Sequence, residues 1–75
     1  MDIRIGVADH PRELTIELPE DTDRDDLKAA VDAALNGDSP TLWLTDVKGR
    51  DVGVASSRLA WVELGPSGSH PIGFS

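Results

Sequence analysis

Apolar and polar residues alternate in the first two segments of the chain, which is the period-2 pattern of strands with one buried face. The first segment covers residues 2–7 and the second covers residues 13–18. Asp9-His10-Pro11 lies between them as a turn cluster, so the two segments predict a β-hairpin. Pro19 ends the second strand because proline has no N–H to donate to a neighbouring strand.

The next segment has the apolar stripe of a helix that packs on one side only. The residues of this stripe are Leu27, Ala30, Val31, Ala34 and Leu35. Thr22 is predicted as the N-cap, with Asp25 three residues later in the place of the capping-box acid. Asn36-Gly37 predicts the end of the helix, because glycine accepts the left-handed conformation without steric penalty.

Three further strands are predicted in the second half of the chain. Residues 41–45 alternate, with Leu42 and Leu44 inward and Trp43 on the other face. A turn with Gly49 at a positive φ leads to a short strand containing Val52 and Val54. Residues 59–64 are apolar on both faces apart from one glutamate, which favours a central position in the sheet.

The predicted order is β-β-α-β-β-β, an α+β fold with a mostly antiparallel sheet packed on one helix. This order matches the β-grasp arrangement of ubiquitin-like domains, in which the first and last strands would be parallel neighbours at the centre. The main alternative is a small SH3-like or Sm-like barrel, because residues 41–64 could close a barrel of short strands. We expect residues 1–64 to form a single domain and residues 65–75 to be a flexible linker and C-terminal tail.

Composition narrows the classes of partner. The chain has 75 residues, with 14 acids against 7 bases and a net charge of −7. Binding to nucleic acid or to an anionic membrane is therefore not expected, since both need clustered Lys and Arg. Cysteine is absent, which excludes disulfides and thiolate metal sites. The N-terminus enters a strand pattern with no basic and apolar leader, so we expect a cytoplasmic protein.

One acidic segment superficially matches a calcium-binding EF-hand loop. Asp21, Asp23 and Asp25 have the D-x-D-x-D spacing, and Asp32 falls at loop position twelve. Asp26, however, occupies position six, where such a loop needs glycine. The segment is better interpreted as the acidic first turn of the helix, where the helix dipole favours negative charge.

No catalytic or cofactor-binding set is expected. His10 and His70 each stand beside proline and have no second ligand at zinc spacing. Ser56, Ser57 and Asp51 could be combined with His10 as a nucleophile and base, but no G-x-S-x-G motif supports this. We therefore expect a protein that is not an enzyme and that has no cofactor or metal.

Two tryptophans mark a candidate interaction surface. Trp43 is predicted on the sheet face away from the helix, and Trp61 shares a face with Leu59. Together these side chains would form an apolar patch of the kind found at protein interfaces. Three occupants stay open: a protein partner or second copy of the chain, a small ligand, or the chain's own tail with Ile72 and Phe74.

The sequence also resembles a family of short actinobacterial proteins of unknown function, over nearly its whole length. The segments that carry the resemblance are residues 1–7, Pro11-Arg12-Glu13-Leu14, Leu44-Thr45-Asp46, Gly49-Arg50, residues 58–65 and Ile72-Gly73-Phe74. The resemblance implies an actinobacterial cytoplasmic source and no defined activity. Members sometimes carry the label ATP-binding, but this chain lacks the phosphate-binding G-x-x-x-x-G-K-[ST] and G-x-G-x-x-G motifs.

The function predicted from these features is a non-catalytic protein-interaction module. It would use the sheet face opposite the helix and the C-terminal tail. One alternative is a ubiquitin-like modifier or carrier, although the chain ends Gly73-Phe74-Ser75 and not in the Gly-Gly of such carriers. The other alternative is a domain that binds a small ligand such as a nucleotide.

Overall fold

The computed structural model of the chain describes residues 1–66 and confirms the α+β order predicted from the sequence. Within residues 1–66, one α-helix follows the hairpin in the chain and precedes three further strands. In chain order the elements are β1 (Asp2–Val7), β2 (Leu14–Glu17), α1 (Arg24–Leu35), β3 (Thr41–Thr45), β4 (Asp51–Ala55), a 3₁₀ turn (Ser56–Arg58) and β5 (Leu59–Leu64).

The strands form two antiparallel sheets, a three-stranded sheet of order β2-β1-β5 and a two-stranded sheet of β3 and β4. Two expectations about β5 are wrong: it is antiparallel to β1, not parallel, and it lies at an edge of its sheet. The reason is the 3₁₀ turn, which brings the chain back beside the end of β1, where the Ala8 N–H donates to the Arg58 carbonyl at 2.7 Å. β5 therefore starts where β1 stops and must run in the opposite direction.

This topology decides between the fold alternatives. Residues 1–66 contain no closed barrel, so the SH3-like or Sm-like alternative is wrong. The argument for a ubiquitin-like carrier depended on a central parallel pair of first and last strands, and β1 and β5 do not form one.

The core lies between the inner faces of the sheets and one side of α1. Its most deeply buried large side chains are Ile3, Ile5 and Leu42. From the helix come Leu27, Val31 and Ala34. The predicted stripe was too wide, because Ala30 is exposed and Leu35 is 47% exposed in the last turn of the helix. The helix therefore packs through a narrow strip and leaves apolar side chains on either side of it.

Both ends of α1 are capped by local hydrogen bonds. The N-cap is Asp23, whose carboxylate accepts the Asp26 N–H at 3.0 Å, and not Thr22 as predicted. Thr22 is used in a turn, where its N–H donates to the Pro19 carbonyl, so the cap falls one residue later. At the other end Gly37 has φ 82° and closes the helix with the paired bonds of a Schellman motif.

The β3–β4 turn joins the two sheets. Its Val47 N–H donates to the carbonyl of Glu17 at the end of β2. The turn itself is held by Asp46, a buried carboxylate that accepts the Lys48 and Arg50 N–H groups at 2.9 Å and the Arg50 Nε at 2.7 Å. The Arg50 N–H contributes most to lowering the pKa of Asp46, and this outweighs the opposite effect of burial.

Gly65 stays attached to the domain after β5 ends. Its N–H donates to the Asp2 carbonyl at 2.8 Å, and its own carbonyl accepts Arg24 Nη1 at 2.7 Å. The predicted linker and tail begin at this residue, but residues 67–75 lie outside the described part of the chain. The boundary between residues 64 and 65 therefore remains a prediction.

Candidate interaction surface

Each sheet presents one tryptophan on its outer face. The ring of each tryptophan lies over a glycine of the neighbouring strand. Trp43 of β3 is paired with Gly53 of β4, and Trp61 of β5 is paired with Gly6 of β1. A side chain at either glycine would collide with the indole opposite. Glycine thus allows each ring to lie flat on the sheet, while 65% of Trp43 and 43% of Trp61 remain exposed.

The surface around Trp61 is charged, and three of its charged residues, Arg4, Glu13 and Glu63, pair with one another. Arg4 Nε donates to Glu13 at 2.8 Å and Arg4 Nη1 donates to Glu63 at 2.7 Å. The hydrogen bond with Glu13, reinforced by the charges of Glu13 and Glu63, raises the pKa of Arg4. The guanidinium carbon lies 5.9 Å from the centre of the Trp61 ring, within the range of a cation–π interaction. Arg4 thereby joins β1 to β5 and to Glu13, the residue that precedes β2, and Trp61 contacts the centre of this ion-pair cluster.

The surface around Trp43 has a different character, because its neighbours are small and almost uncharged. The outer face of the β3–β4 hairpin consists of Thr41, Trp43, Thr45, Gly53 and Ala55, which we call the Trp43 surface. A charged carboxylate lies at one end of it, on Asp51, and it accepts a hydrogen bond from the Thr45 hydroxyl at 2.8 Å. The Trp43 surface is therefore nearly neutral and carries no large side chain except Trp43.

An open recess adjoins Trp43 between β3 and the N-terminal half of α1. It has a volume of about 390 Å³ and we call it the Trp43 recess. Its apolar lining comes from Leu18, Pro19, Leu27, Ala30 and Leu44, and its acidic rim from Asp23 and Asp26. The volume falls within the range of about 300–1,000 Å³ that is usual for ligand sites. The recess is thus large enough for a few side chains of a partner.

The structure places the predicted interaction residues in different parts of the molecule. Trp43 and Trp61 are both exposed, but they lie in different sheets and line separate depressions, so the single patch expected from the sequence does not form. Ile72 and Phe74 lie outside the described residues.

Leu59 does not share a face with Trp61 as predicted. Trp61 pairs with Gly6 and Leu59 with Val7, which leaves Ala60 without a partner as a β-bulge. The extra residue reverses the alternation, so Leu59 turns inward and packs against the core. Periodicity alone cannot detect such a bulge, because it depends on pairing with a distant strand.

Three of the candidate catalytic side chains, Ser56, Asp51 and His10, make hydrogen bonds with groups other than one another. Ser56 donates to the Ser39 carbonyl, Asp51 accepts from Thr45, and the exposed His10 ring contacts the Arg12 backbone. No hydrogen bond within residues 1–66 joins one of these candidates to another. The acidic segment is helical from Arg24 onward, so it is not an ion-binding loop.

Residues 1–66 contain neither a cluster of metal ligands nor a helix able to span a membrane. No group of three or more His, Asp or Glu side chains in residues 1–66 is arranged to hold a metal ion. The helix in this part of the chain is too short and too polar to cross a membrane.

Sequence reasoning missed the glycines beneath the tryptophans and the recess beside Trp43. The glycine beneath Trp43 could have been found from the sequence. A three-residue loop ending in Gly49 fixes the register of the hairpin, and this register places Gly53 opposite Trp43. The recess had no such signal, since Leu18 and Ala30 belong to different elements and meet only in the fold.

Comparison with known proteins supports the resemblance seen in the sequence. No curated protein matches this chain. A family model described as "Protein of unknown function (DUF3107)" matches residues 1–75. The chain therefore belongs to this family of proteins of unknown function.

Proposed function

We propose that this protein is a non-catalytic cytoplasmic interaction module that binds a protein partner through the Trp43 surface. The observation that carries the proposal is the 65% exposure of Trp43 on a nearly uncharged face. Charged residues make up 28% of the chain, so a face of threonine, glycine, alanine and tryptophan contrasts with the rest of the surface. Interface cores are depleted in charge and enriched in tryptophan in the same way.

The energy available from this one side chain is substantial for a small interface. A tryptophan has about 150–250 Å² to bury. Roughly two thirds of that area is still exposed on Trp43, and covering it would contribute about 2.5–4 kcal/mol at about 25 cal/mol per Å². Gly53 supports the ring from below, so little side-chain entropy would be lost on binding. These are the properties of an interface hot spot.

Charge supports a protein partner over nucleic acid. The net charge is −7, and seven of the 14 acids but only two of the seven bases fall in residues 20–38, in and around α1. A phosphate backbone would be repelled by that segment. A basic protein would be attracted by it and steered toward the neighbouring Trp43 surface.

The test compares three variants of the full chain: Trp43→Ala, Trp61→Ala and Leu35→Ala. Leu35 is the matched control, because it is also an exposed apolar side chain but lies at the far end of the helix. Self-association is measured by sedimentation velocity, and partner binding by affinity capture from a lysate of the source organism.

We expect Trp43→Ala to abolish association with the partner or the second copy, while Leu35→Ala leaves it unchanged. Trp61→Ala should reduce stability more than binding, because Trp61 supports the Arg4 contacts. The proposal fails if Trp43→Ala retains every associated species, or if Leu35→Ala loses the same species.

A further inference from the structure

We infer that the Trp43 recess receives an extended, basic segment of the partner, which adds as a strand to the free edge of β3. This inference rests on the proposed function and specifies the chemistry of the partner. Four features of the described residues carry it: the open edge of β3, the shape of the recess, its apolar lining and its acidic rim.

The edge of β3 that faces the recess has unused backbone groups. The Asp46 N–H donates to the Arg50 carbonyl, and the Ser56 N–H donates to the Pro40 carbonyl. These two bonds show that the even-numbered residues of β3 direct their backbone groups toward β4. Alternation then directs the N–H and C=O groups of Trp43 and Thr45 away from β4. No hydrogen bond within residues 1–66 reaches those groups, so an added strand would find donors and acceptors in place.

The recess lies along that edge and suits an apolar anchor. Three consecutive β3 residues, Trp43, Leu44 and Thr45, line one wall, as expected for a strand edge. Leu27 and Ala30 of α1, together with Leu18 and Pro19 after β2, supply the rest of its apolar lining. Alternate side chains of an added strand would point into this lining, while the others would remain at the rim.

The rim favours positive charge on the segment. Asp23 and Asp26 line the recess, and both are exposed. The two basic residues of α1, Arg24 and Lys28, do not line the recess, and Arg24 donates to the Gly65 carbonyl at 2.7 Å. The exposed Trp43 ring also offers a face for a cation. Lysine or arginine at the rim positions of the segment would therefore be stabilised.

The same charges disfavour the other occupants. A second copy placed edge to edge along β3 would bring its own Asp23 and Asp26 toward the first pair, and like charges repel. Residues 67–75 contain no lysine or arginine, so the tail lacks the complementary charge. The basic segment of a different protein fits the recess best.

The experiment uses the full chain labelled with ¹⁵N and a synthetic probe, a capped octapeptide of alternating lysine and valine. The amide exchange of Trp43 and Thr45 is measured by NMR with and without the probe. We expect both amides to exchange more slowly with the probe bound, while Leu42 and Leu44, which already bond to β4, change little. Slowing of Trp43 and Thr45 would not follow from loose electrostatic contact alone.

Charge dependence is tested with two matched double variants. Asp23→Asn with Asp26→Asn removes the rim charges, and asparagine keeps the helix cap. Asp32→Asn with Asp38→Asn removes two acids elsewhere on the same segment. We expect the first pair to weaken probe binding roughly fivefold and the second pair less than twofold, in the range of exposed ion pairs.

Several results would overturn the inference. These are unchanged exchange at Trp43 and Thr45, equal weakening by both double variants, or equal binding of a glutamate–valine probe. A change in the Trp43 and Thr45 signals of the probe-free protein on Ile72→Ser with Phe74→Ser would also overturn it, because the tail would then occupy the recess. If any of these occurs while Trp43→Ala still abolishes association, the proposed function stands and only the chemistry assigned to the partner is wrong.

Discussion

Replacing Gly6 with alanine tests whether the Trp61 indole is held against the sheet. A Cβ at this position would overlap the indole, whose Nε1 and Cε2 atoms are its nearest neighbours. Overpacking of this kind destabilises a protein by about 1–3 kcal/mol. Replacing a glycine in a strand interior with alanine by itself stabilises the folded protein by about 0.5–1 kcal/mol. We therefore expect Gly6→Ala to lower the free energy of unfolding by roughly 1.25 kcal/mol, the difference between the middles of these two ranges.

The assay is urea denaturation followed by circular dichroism, in the wild type and in a Trp61→Ala background. Without the indole only the benefit of removing glycine remains, so Gly6→Ala should stabilise that background by about 0.5–1 kcal/mol. The coupling energy between the two sites should then be about 1–3 kcal/mol. If Gly6→Ala has the same effect in both backgrounds, the ring does not lie on Gly6 and the reasoning is refuted.

Gly53→Ala is the informative comparison for the other tryptophan. An added Cβ there would lie 2.8 Å from two Trp43 ring carbons. Trp43 is more exposed than Trp61, so its ring can move outward into solvent. We expect little change in the free energy of unfolding but weaker partner binding, because the aromatic ring no longer lies flat on the hairpin. A large loss of stability would contradict this account of the Trp43 surface.

Three further substitutions test the core, the helix cap and the buried carboxylate. Leu42→Ala, at a side chain only 2% exposed, should lower the free energy of unfolding by about 2–5 kcal/mol, whereas Leu35→Ala should have a much smaller effect in the same urea titration. Asp23→Ala should lower it by about 0.5–2 kcal/mol through loss of the N-cap, and Asp23→Asn should be nearly neutral. Asp46 has a lowered pKa when folded, so its stabilisation is present above the ordinary value of 3.8 and is lost as the pH falls through the folded pKa. The stability difference between wild type and Asp46→Asn should accordingly narrow below pH 3.8, and a difference that is constant or grows toward acid pH would contradict the assignment.

The parts of the fold that could be predicted from the sequence are those with local causes. Alternation in residues 2–7 and 41–45 reflects strands with one buried face, and both strands are present with the predicted residues inward. Gly37 and Gly49 both adopt the positive φ that their turns require. Each of these features depends on neighbours within a few residues, which is the range that a single sequence can show.

The position of β5 could not be predicted in this way. Its partner β1 lies more than fifty residues earlier, and the pairing direction is set by the 3₁₀ turn, which has no strong sequence signal. The apolar run of residues 59–64 suggested a central strand. In the structure, apolar residues occur on both faces of this edge strand for a different reason. The bulge at Ala60 turns Leu59 inward, and Trp61 covers Gly6 on the outer face.

The face on which Trp43 lies could be predicted from the sequence, but the surroundings of its ring could not. Trp43 was placed correctly on the outer face because it alternates with Leu42 and Leu44. Its separation from Trp61 depends on the division of the strands into two sheets, and its recess depends on how α1 lies beside β3. Those arrangements come from tertiary packing, which periodicity does not report.

The most direct test of the proposed function is photo-crosslinking in living cells of the source organism. A photoreactive amino acid is placed at position 45, beside Trp43 and on the Trp43 surface, and in a control at position 32 on the exposed side of α1. The proposal predicts a discrete crosslinked protein from position 45 that is absent from position 32 and is lost when Trp43→Ala is added. No product from position 45, or a product that survives Trp43→Ala, would contradict it.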